Sequence, residues 1–415
     1  MQLGDIGNAE AGAQGKPLDG VRILALEQMQ ALPYATQLLA RLGADVIKVE
    51  HPSGGDLARG SLPAMVQSDG GKAGATFLRN NLNKRSITVD LKNPAGRELI
   101  LQLAPKFDIV AENFKGGALG RMGLGYDNIR AVHPAVVYLS ISGFGNTVES
   151  PYRAWPAYAA VAEAMSGVYE WKRQLDQPPS VSPVGALGDI GTALFGVIGV
   201  LAALRHRDNT GLGQYVDISM LDSMVSFADV VVNWWSMGER PEPGAGLKMI
   251  LDGFLASDGW FIVQCGREHE FEKFVTVIGA AQLATDSRFA TREGWRKHID
   301  VIRQAVSVWA ADKTSVQACH LLSNAGVAAG PVLSAQQVME DPHIDARNML
   351  VRIPRTDGVA EPVVVPGNPV KMTGMADGPD TMPPDLGQHT DSVLISELGL
   401  NVDEIERLRS MGAIG

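Results

Sequence analysis

The chain has 415 residues, 36 Lys and Arg against 46 Asp and Glu, a net charge of −10 and 45% apolar residues. This acidic balance excludes a whole-chain basic field for nucleic acid, but not a local basic pocket for an anionic ligand. Two cysteines, Cys265 and Cys319, form neither a CxxC motif nor a disulfide framework, and read as structural thiols in a reducing, cytoplasmic setting.

In chain order, residues 1–17 are polar and read as a disordered N-terminal extension, without the basic and apolar regions of a signal peptide. "VRILAL" then reads as a buried strand, "PYATQLLARLG" as a helix and "ADVIKVE" as a second strand. The alternation recurs with "RSITVDL", "NPAGRELILQLAPK" and "FDIVAENF", and again with "YDNIRAVHP" and "AVVYLSISGFG". Strands alternating with helices of this length predict an α/β fold, Rossmann-like, with a mostly parallel sheet. The first strand-to-helix turn reads "EQMQALPYAT", without the GxGxxG that a nicotinamide dinucleotide needs, so no NAD site is expected.

Further on, "GALGDIGTALFGVIGVLAALRHR" predicts a helix over Ile190–Leu204, a run of 15 residues, shorter than the roughly 20 that cross a membrane. "GQYVDISMLDSMVSFADVVVNWWSMG" predicts a strand followed by one long apolar helix. The Pro- and Gly-rich "ERPEPGAG" reads as a linker, "GWFIVQC" as an antiparallel strand of a smaller α+β domain, and "AGVAAGPVLSAQQV" as a return to the first domain. "DSVLISELGLNVDEIERLRS" predicts a closing pair of surface helices. The expected division is a large domain over 18–225 and 320–415, linkers at 226–239 and 316–319, and a small domain over 240–315.

No HExxH, Cys/His quartet, GxSxG or GxxxxGK[ST] occurs, which argues against a metal centre, a serine hydrolase elbow and a P-loop. Carboxylates remain. Asp189 stands between Gly188 and Gly191 at the entrance of an apolar helix. It reads either as an N-cap or as a reactive carboxylate, kept ionised by the helix start and left accessible by its glycines.

Several long blocks resemble one family. "GALGDIGTALFGVIGVLAAL" and "GLGQYVDISMLDSM" are similar to the class III CoA-transferases, the family of formyl-CoA and carnitine CoA-transferases. So are "LARLGADVIKVEHPSGGDLARG", "RNNLNKRSITVDLKNPAGREL", "DIVAENFKGGALGRMGLGYDNI", "AAGPVLS" and "LGQHTDSVLISELGL". The resemblance implies that Asp189 attacks an acyl-CoA thioester, giving a mixed anhydride and then an aspartyl-CoA thioester that an incoming acid resolves. It implies that Gln30 donates to the anionic intermediates. It also implies coenzyme A contacts at Ala31, His51, Val89, Lys92, Asn113, Phe114 and Arg121. The expected partners are acyl-CoA, a small carboxylic acid and a second copy of the chain in an interlocked homodimer. No metal, nucleic acid or membrane is expected.

The same superfamily includes 2-methylacyl-CoA racemases, which the resemblance implies use a His-Asp pair where this chain has Tyr158 and Ala159. A tyrosine, with an ordinary pKa near ~10, is a poor base at neutral pH, so CoA transfer is favoured and Tyr158 is expected to orient substrate. Formyl-CoA transferases carry an acid after that tyrosine and a glycine run in a lid; Ala159 and "PEPGAGLKMILDG" depart from both. An acid pair other than formate and oxalate is therefore expected, with a dicarboxyl donor such as succinyl-CoA as one candidate. A racemase and a non-catalytic CoA-binding paralogue are the alternatives.

Overall fold

The computed structural model describes residues 1–67, 70–170, 176–182, 184–240 and 249–415. Most of the "ERPEPGAG" linker and of the glycine-poor lid comparison falls outside these residues. The chain divides into two compact units, one of Met1–Tyr169, Ser180–Gly238 and Pro342–Gly415, the other of Glu239–Asp341 with Glu170–Pro179.

The first unit is built on a six-stranded parallel sheet. Its strands are β1 (Arg22–Leu26), β2 (Asp45–Glu50), β5 (Lys84–Thr88), β6 (Ile109–Glu112), β7 (Val137–Ser142) and β8 (Gln214–Ser219), with β3 (Ala64–Val66) and β4 (Lys72–Gly74) forming a small hairpin aside. The order is β5-β2-β1-β6-β7-β8. The chain therefore runs outward from β1 in one direction, returns, and continues from β6 in the other. In such sheets, ligands bind at the carboxyl ends of the strands beside this switch point.

Side chains alternate along each strand, and both faces are covered. Ile23, Ala25, Val46, Ile109 and Leu139 pack under helix α1 (Ala31–Arg41) and the Leu187–Thr210 helix. Leu24, Leu26, Ile47, Val110 and Tyr138 pack under Pro94–Leu103, Tyr126–Val132 and the two C-terminal helices. Strands buried on both sides explain the near-continuous apolar runs of the sequence.

The Leu187–Thr210 helix is the one described helix long and apolar enough to cross a membrane by length and composition. Its small residues instead lie against the sheet. A Cβ at Gly196 would stand 3.2 Å from Ile141 Cδ1, and one at Gly199 2.5 Å from Val216 Cγ1.

The second unit holds β9 (Ile250–Leu255), β10 (Trp260–Cys265) and β11 (Ala328–Pro331), antiparallel in the order β11-β10-β9. Its core contains Phe254, Phe261 and Phe274, with Trp295 stacked on Phe271 at 4.5 Å. Cys265 and Cys319 are free thiols in the same core.

Several expectations are corrected. Residues 1–17, expected to be a disordered extension, make contacts within the first unit: Gln2 and Gly7 bridge to Arg352 and Asp377, and Ala9–Gln14 forms a 3-10 turn with Ala11 buried. Polar composition concealed an anchoring made by backbone hydrogen bonds. The predicted linker at 316–319 lies inside the Ser315–Asn324 helix, where Ala318 and Cys319 are core residues. "AGVAAGP" belongs to the second unit, because β11 pairs with β10, and the chain re-enters the first unit only at Pro342. The long helix after β8 is two helices, Met220–Phe227 and Val231–Ser236, broken where Asp229 takes φ +54°. The C-terminal helices Thr390–Leu398 and Val402–Ser410 bury Val393, Leu394 and Ile405 and are therefore part of the core layer. β12 (Leu350–Ile353) and β13 (Val363–Pro366) form a separate hairpin.

Candidate active site

A cavity of about 360 Å³ opens at the carboxyl ends of β1, β6, β7 and β8, beside the switch point. Asp189, Gln30, Tyr158, Asn113, Phe114 and Ala31 all line it. Six of the ten residues singled out by sequence thus line one cavity, from two sides.

The β1-to-α1 turn forms one side. Asn113, just past β6, clamps Gln28 in both directions: its Oδ1 accepts the Gln28 N–H at 3.1 Å, and its Nδ2 donates to the Gln28 carbonyl at 2.9 Å. Met29 follows with φ +64°, a left-handed conformation that costs a non-glycine residue about 1–3 kcal/mol. Its N–H donates to Asp56 Oδ1 at 2.7 Å. Gln30 occupies the N-cap position of α1, and Gln30 and Ala31 bring the start of that 11-residue helix, its positive dipole end, to the cavity.

The other side is formed by two helix starts. Tyr158 occupies the N-cap position of the Ala159–Ser166 helix and is 73% exposed, so it stands on the cavity rim. Asp189 is the third residue of the Leu187–Thr210 helix, whose cap is Ala186. Asp189 is therefore not the N-cap. Burial pushes its carboxyl up, and the neighbouring Glu163 charge pushes it further, to about 6. The expected net effect of the helix start is outweighed by burial and like charge; at pH 7 the carboxylate is nevertheless mostly ionised.

The flanking glycines serve packing. A Cβ on Gly188 would lie 2.9 Å from Ala159 Cα, and one on Gly191 would collide with the Phe227 ring. Gly188 allows the two helix starts to meet, and its N–H donates to Glu163 Oε1 at 3.1 Å. Glu163 is buried and also accepts from the Tyr169 hydroxyl at 2.7 Å.

The remaining predicted contacts lie off this wall. His51 and Lys92 are exposed at the ends of β2 and β5, with His51 Nε2 3.8 Å from Asp90 Oδ1. Arg121 is exposed at the end of the short helix Ala118–Arg121. Val89 is a core side chain, 1% exposed, so only its backbone can reach a ligand.

Sequence reasoning missed Arg153, Lys115 and Trp155 on the cavity wall, and Glu112 beneath it. Burial pushes the Glu112 carboxyl up to about 7, although the Ser140 hydroxyl and the Phe114 N–H both donate to it. Glu112 begins the "ENF" block and Lys115 follows it, so both could have been suspected from it. Arg153 carries no local signal beyond its place in the loop before Tyr158. Among the described residues, no group of three His, Cys, Asp or Glu side chains is arranged to hold a metal ion.

The model of CoA-transferase family III matches residues 18–390. A succinyl-CoA:mesaconate CoA-transferase of Haloarcula hispanica is 36% identical over 92% of this chain and 96% of its own. A formyl-CoA:oxalate CoA-transferase of Streptomyces avermitilis is 34% identical over 96% of this chain and 100% of its own. The crystal structure of a CAIB/BAIF family protein from Brucella suis superimposes with a TM-score of 0.80 at 32% identity, covering 92% of this chain and 99% of that one. The family model and the relatives agree: the chain belongs to CoA-transferase family III and is an enzyme of that class.

Proposed function

We propose that this enzyme moves CoA between carboxylic acids through covalent adducts on Asp189. The Asp189 carboxylate attacks the thioester carbon, the C–S bond breaks, and CoA thiolate leaves a mixed anhydride behind. The thiolate then attacks the Asp189 carbonyl carbon, releasing the first acid as its carboxylate and forming an aspartyl-CoA thioester. The incoming carboxylate attacks that thioester, re-forming an anhydride and freeing CoA thiolate. Attack of the thiolate on the new acyl carbon yields the product thioester and restores the Asp189 carboxylate. No oxidant, reductant or net proton is consumed.

The observation that carries this reading is that Asp189 and Gln30 line one cavity onto which the α1 N-terminus opens. The carboxylate supplies the nucleophile, while the Gln30 amide and the α1 backbone N–H groups stabilise the oxyanion of each tetrahedral step. Tyr158 and Phe114 bound the acyl group. Ala31, Asn113 and Phe114 hold the thioester end of CoA, and Lys92, Arg121, His51 and the Val89 backbone take its distal part.

Small dicarboxylates fit the site best. Arg153 lines the cavity with a half-buried guanidinium whose acidic neighbour, the 96% exposed Glu149, is 3.8 Å away. Such a cation suits the distal carboxylate of a succinyl group, and the name of the Haloarcula hispanica relative pairs succinyl-CoA with mesaconate. A homodimer is part of the proposal, supported by the exposed apolar side chains Leu194, Ile198, Val232 and Trp235. The buried thiols suit a reducing cytoplasm.

The test is transfer of CoA from succinyl-CoA to a panel of carboxylic acids, followed by chromatography of the product thioesters. Turnover abolished by Asp189→Ala supports the reading. Turnover retained by that variant, or exchange of the α-proton with solvent deuterium in place of transfer, overturns it.

A further inference from the structure

Beneath the β1-to-α1 turn lies a set of charged side chains that the chemistry above does not use. Glu27, Lys48, Asp56 and Lys84 have side chains with 0% exposure, and Glu50 and Arg59 adjoin them at 0% and 7%. Lys48 Nζ donates to Asp56 Oδ2 at 2.7 Å and to the Glu27 carbonyl at 3.3 Å. Lys84 donates to Glu27 Oε1 at 2.7 Å and to the Pro33 carbonyl inside α1 at 2.8 Å. The Asp56 N–H in turn donates to Glu50 Oε2 at 2.9 Å, and Arg59 holds both Glu50 oxygens at 2.7 Å.

Buried ion pairs add little net stability over apolar residues of the same size, so stability alone is a weak account of six charges in a core. Their geometry supplies a better one. Asp56 Oδ1 receives two backbone N–H groups, those of Met29 and Ala58, while Oδ2 is fixed by Lys48. Met29 is a left-handed, non-glycine residue on the cavity wall, immediately before Gln30. A residue in that conformation persists only where its surroundings over-determine it, and the Asp56 carboxylate and the Asn113 clamp do so from either side.

We propose that Asp56, oriented by Lys48, is a positioning residue for the CoA-transfer reaction: it pins Met29 in its left-handed conformation, so that Gln30 and the first N–H groups of α1 face Asp189. The proposal rests on the assignment of this cavity as the active site. Loss of the pin lets Met29 relax toward ordinary φ, which rotates Gln30 and the start of α1 away from the reacting carbonyl. Binding energy from the rest of CoA is untouched.

The experiment measures succinyl-CoA turnover by the full chain carrying Asp56→Ala, with and without Met29→Gly. Misplaced oxyanion donors lower kcat by about tenfold or more, with the KM for succinyl-CoA held within about threefold. Glycine adopts the left-handed conformation without the Cβ penalty, so Met29→Gly recovers at least about threefold of that loss in the Asp56→Ala background. A merely structural Asp56 gives no such recovery. Should Asp56→Ala not fold, the pair Asp56→Leu with Lys48→Met replaces the ion pair by apolar groups, removes the same acceptor, and is read against the same two expectations. Unchanged kcat in a folded variant, or a loss that Met29→Gly leaves unaltered, overturns the proposal. Asp189→Ala separates the two levels: if it still turns over, the site assignment fails, whereas if it is dead and the Asp56 variants act like the parent, only the positioning role fails.

Discussion

Glu163 accepts the Gly188 N–H at 3.1 Å, which sets a second, buried carboxylate against the helix turn that carries Asp189. Burial and this neighbour together hold the Asp189 carboxyl up at about 6. With Asp189 as the proposed nucleophile, only its ionised form attacks a thioester, so the rate is expected to fall as pH drops through that value. Glu163→Gln removes the like charge and keeps an oxygen acceptor for Gly188. The acid limb of kcat/KM against pH is expected to move to lower pH in this variant. A limb that does not move would mean that Glu163 has no electrostatic hold on Asp189.

The same raised value has a stability consequence. A carboxyl whose folded pKa lies above its unfolded one favours folding while protonated, below the unfolded value, and loses that contribution as pH rises through about 6. Asp189→Asn removes the cost of an ionised, desolvated group, and is expected to raise stability at pH 8 by about 1–3 kcal/mol. The gain should shrink toward pH 4, as denaturant titrations at the two pH values will show. Equal gains at both would contradict the burial argument.

Arg153 distinguishes two uses of a cation in the cavity. If it binds the distal carboxylate of the acyl group, Arg153→Met lowers kcat/KM for succinyl-CoA by about tenfold to a hundredfold and leaves butyryl-CoA nearly unaffected. Equal losses with both thioesters would assign Arg153 to CoA itself.

Gly188 is a fourth point of leverage. A methyl group there would lie 2.9 Å from Ala159 Cα and 3.1 Å from its carbonyl oxygen, so the two helix starts must separate. Gly188→Ala is expected to cost about 1–3 kcal/mol and to depress kcat as well, since Tyr158 and Asp189 are carried on those two starts. Thermal melts and turnover measured on one preparation check both. A stable, fully active variant would show that the helix starts have room that the packing does not suggest.

Much of this was legible in the chain because strand and helix periods are local. The β1-to-β2 and β5-to-β6 units could be read directly from apolar runs and Pro94, and Asp189 stood out as a lone carboxylate before an apolar helix. What was not legible depends on contacts distant in sequence. Asp189 read as a cap or a reactive carboxylate because its neighbours 159 and 163 cannot be seen from 189; burial and the Glu163 charge raise its carboxyl, where a helix start alone would lower it. The left-handed Met29 is invisible in "EQMQALP", because Asp56 that pins it lies 27 residues on. The break at Asp229 lies within a continuous apolar pattern, where periodicity gives no warning.

The central claim is a covalent bond to Asp189, and the most direct test is peptide mass spectrometry after incubation with succinyl-CoA and trapping by hydroxylamine. The account predicts an aspartyl hydroxamate on the peptide containing Asp189, formed only when acyl-CoA is present and absent from Asp189→Ala. An active enzyme whose Asp189 peptide stays unmodified under trapping, or a hydroxamate on another carboxylate, would contradict it.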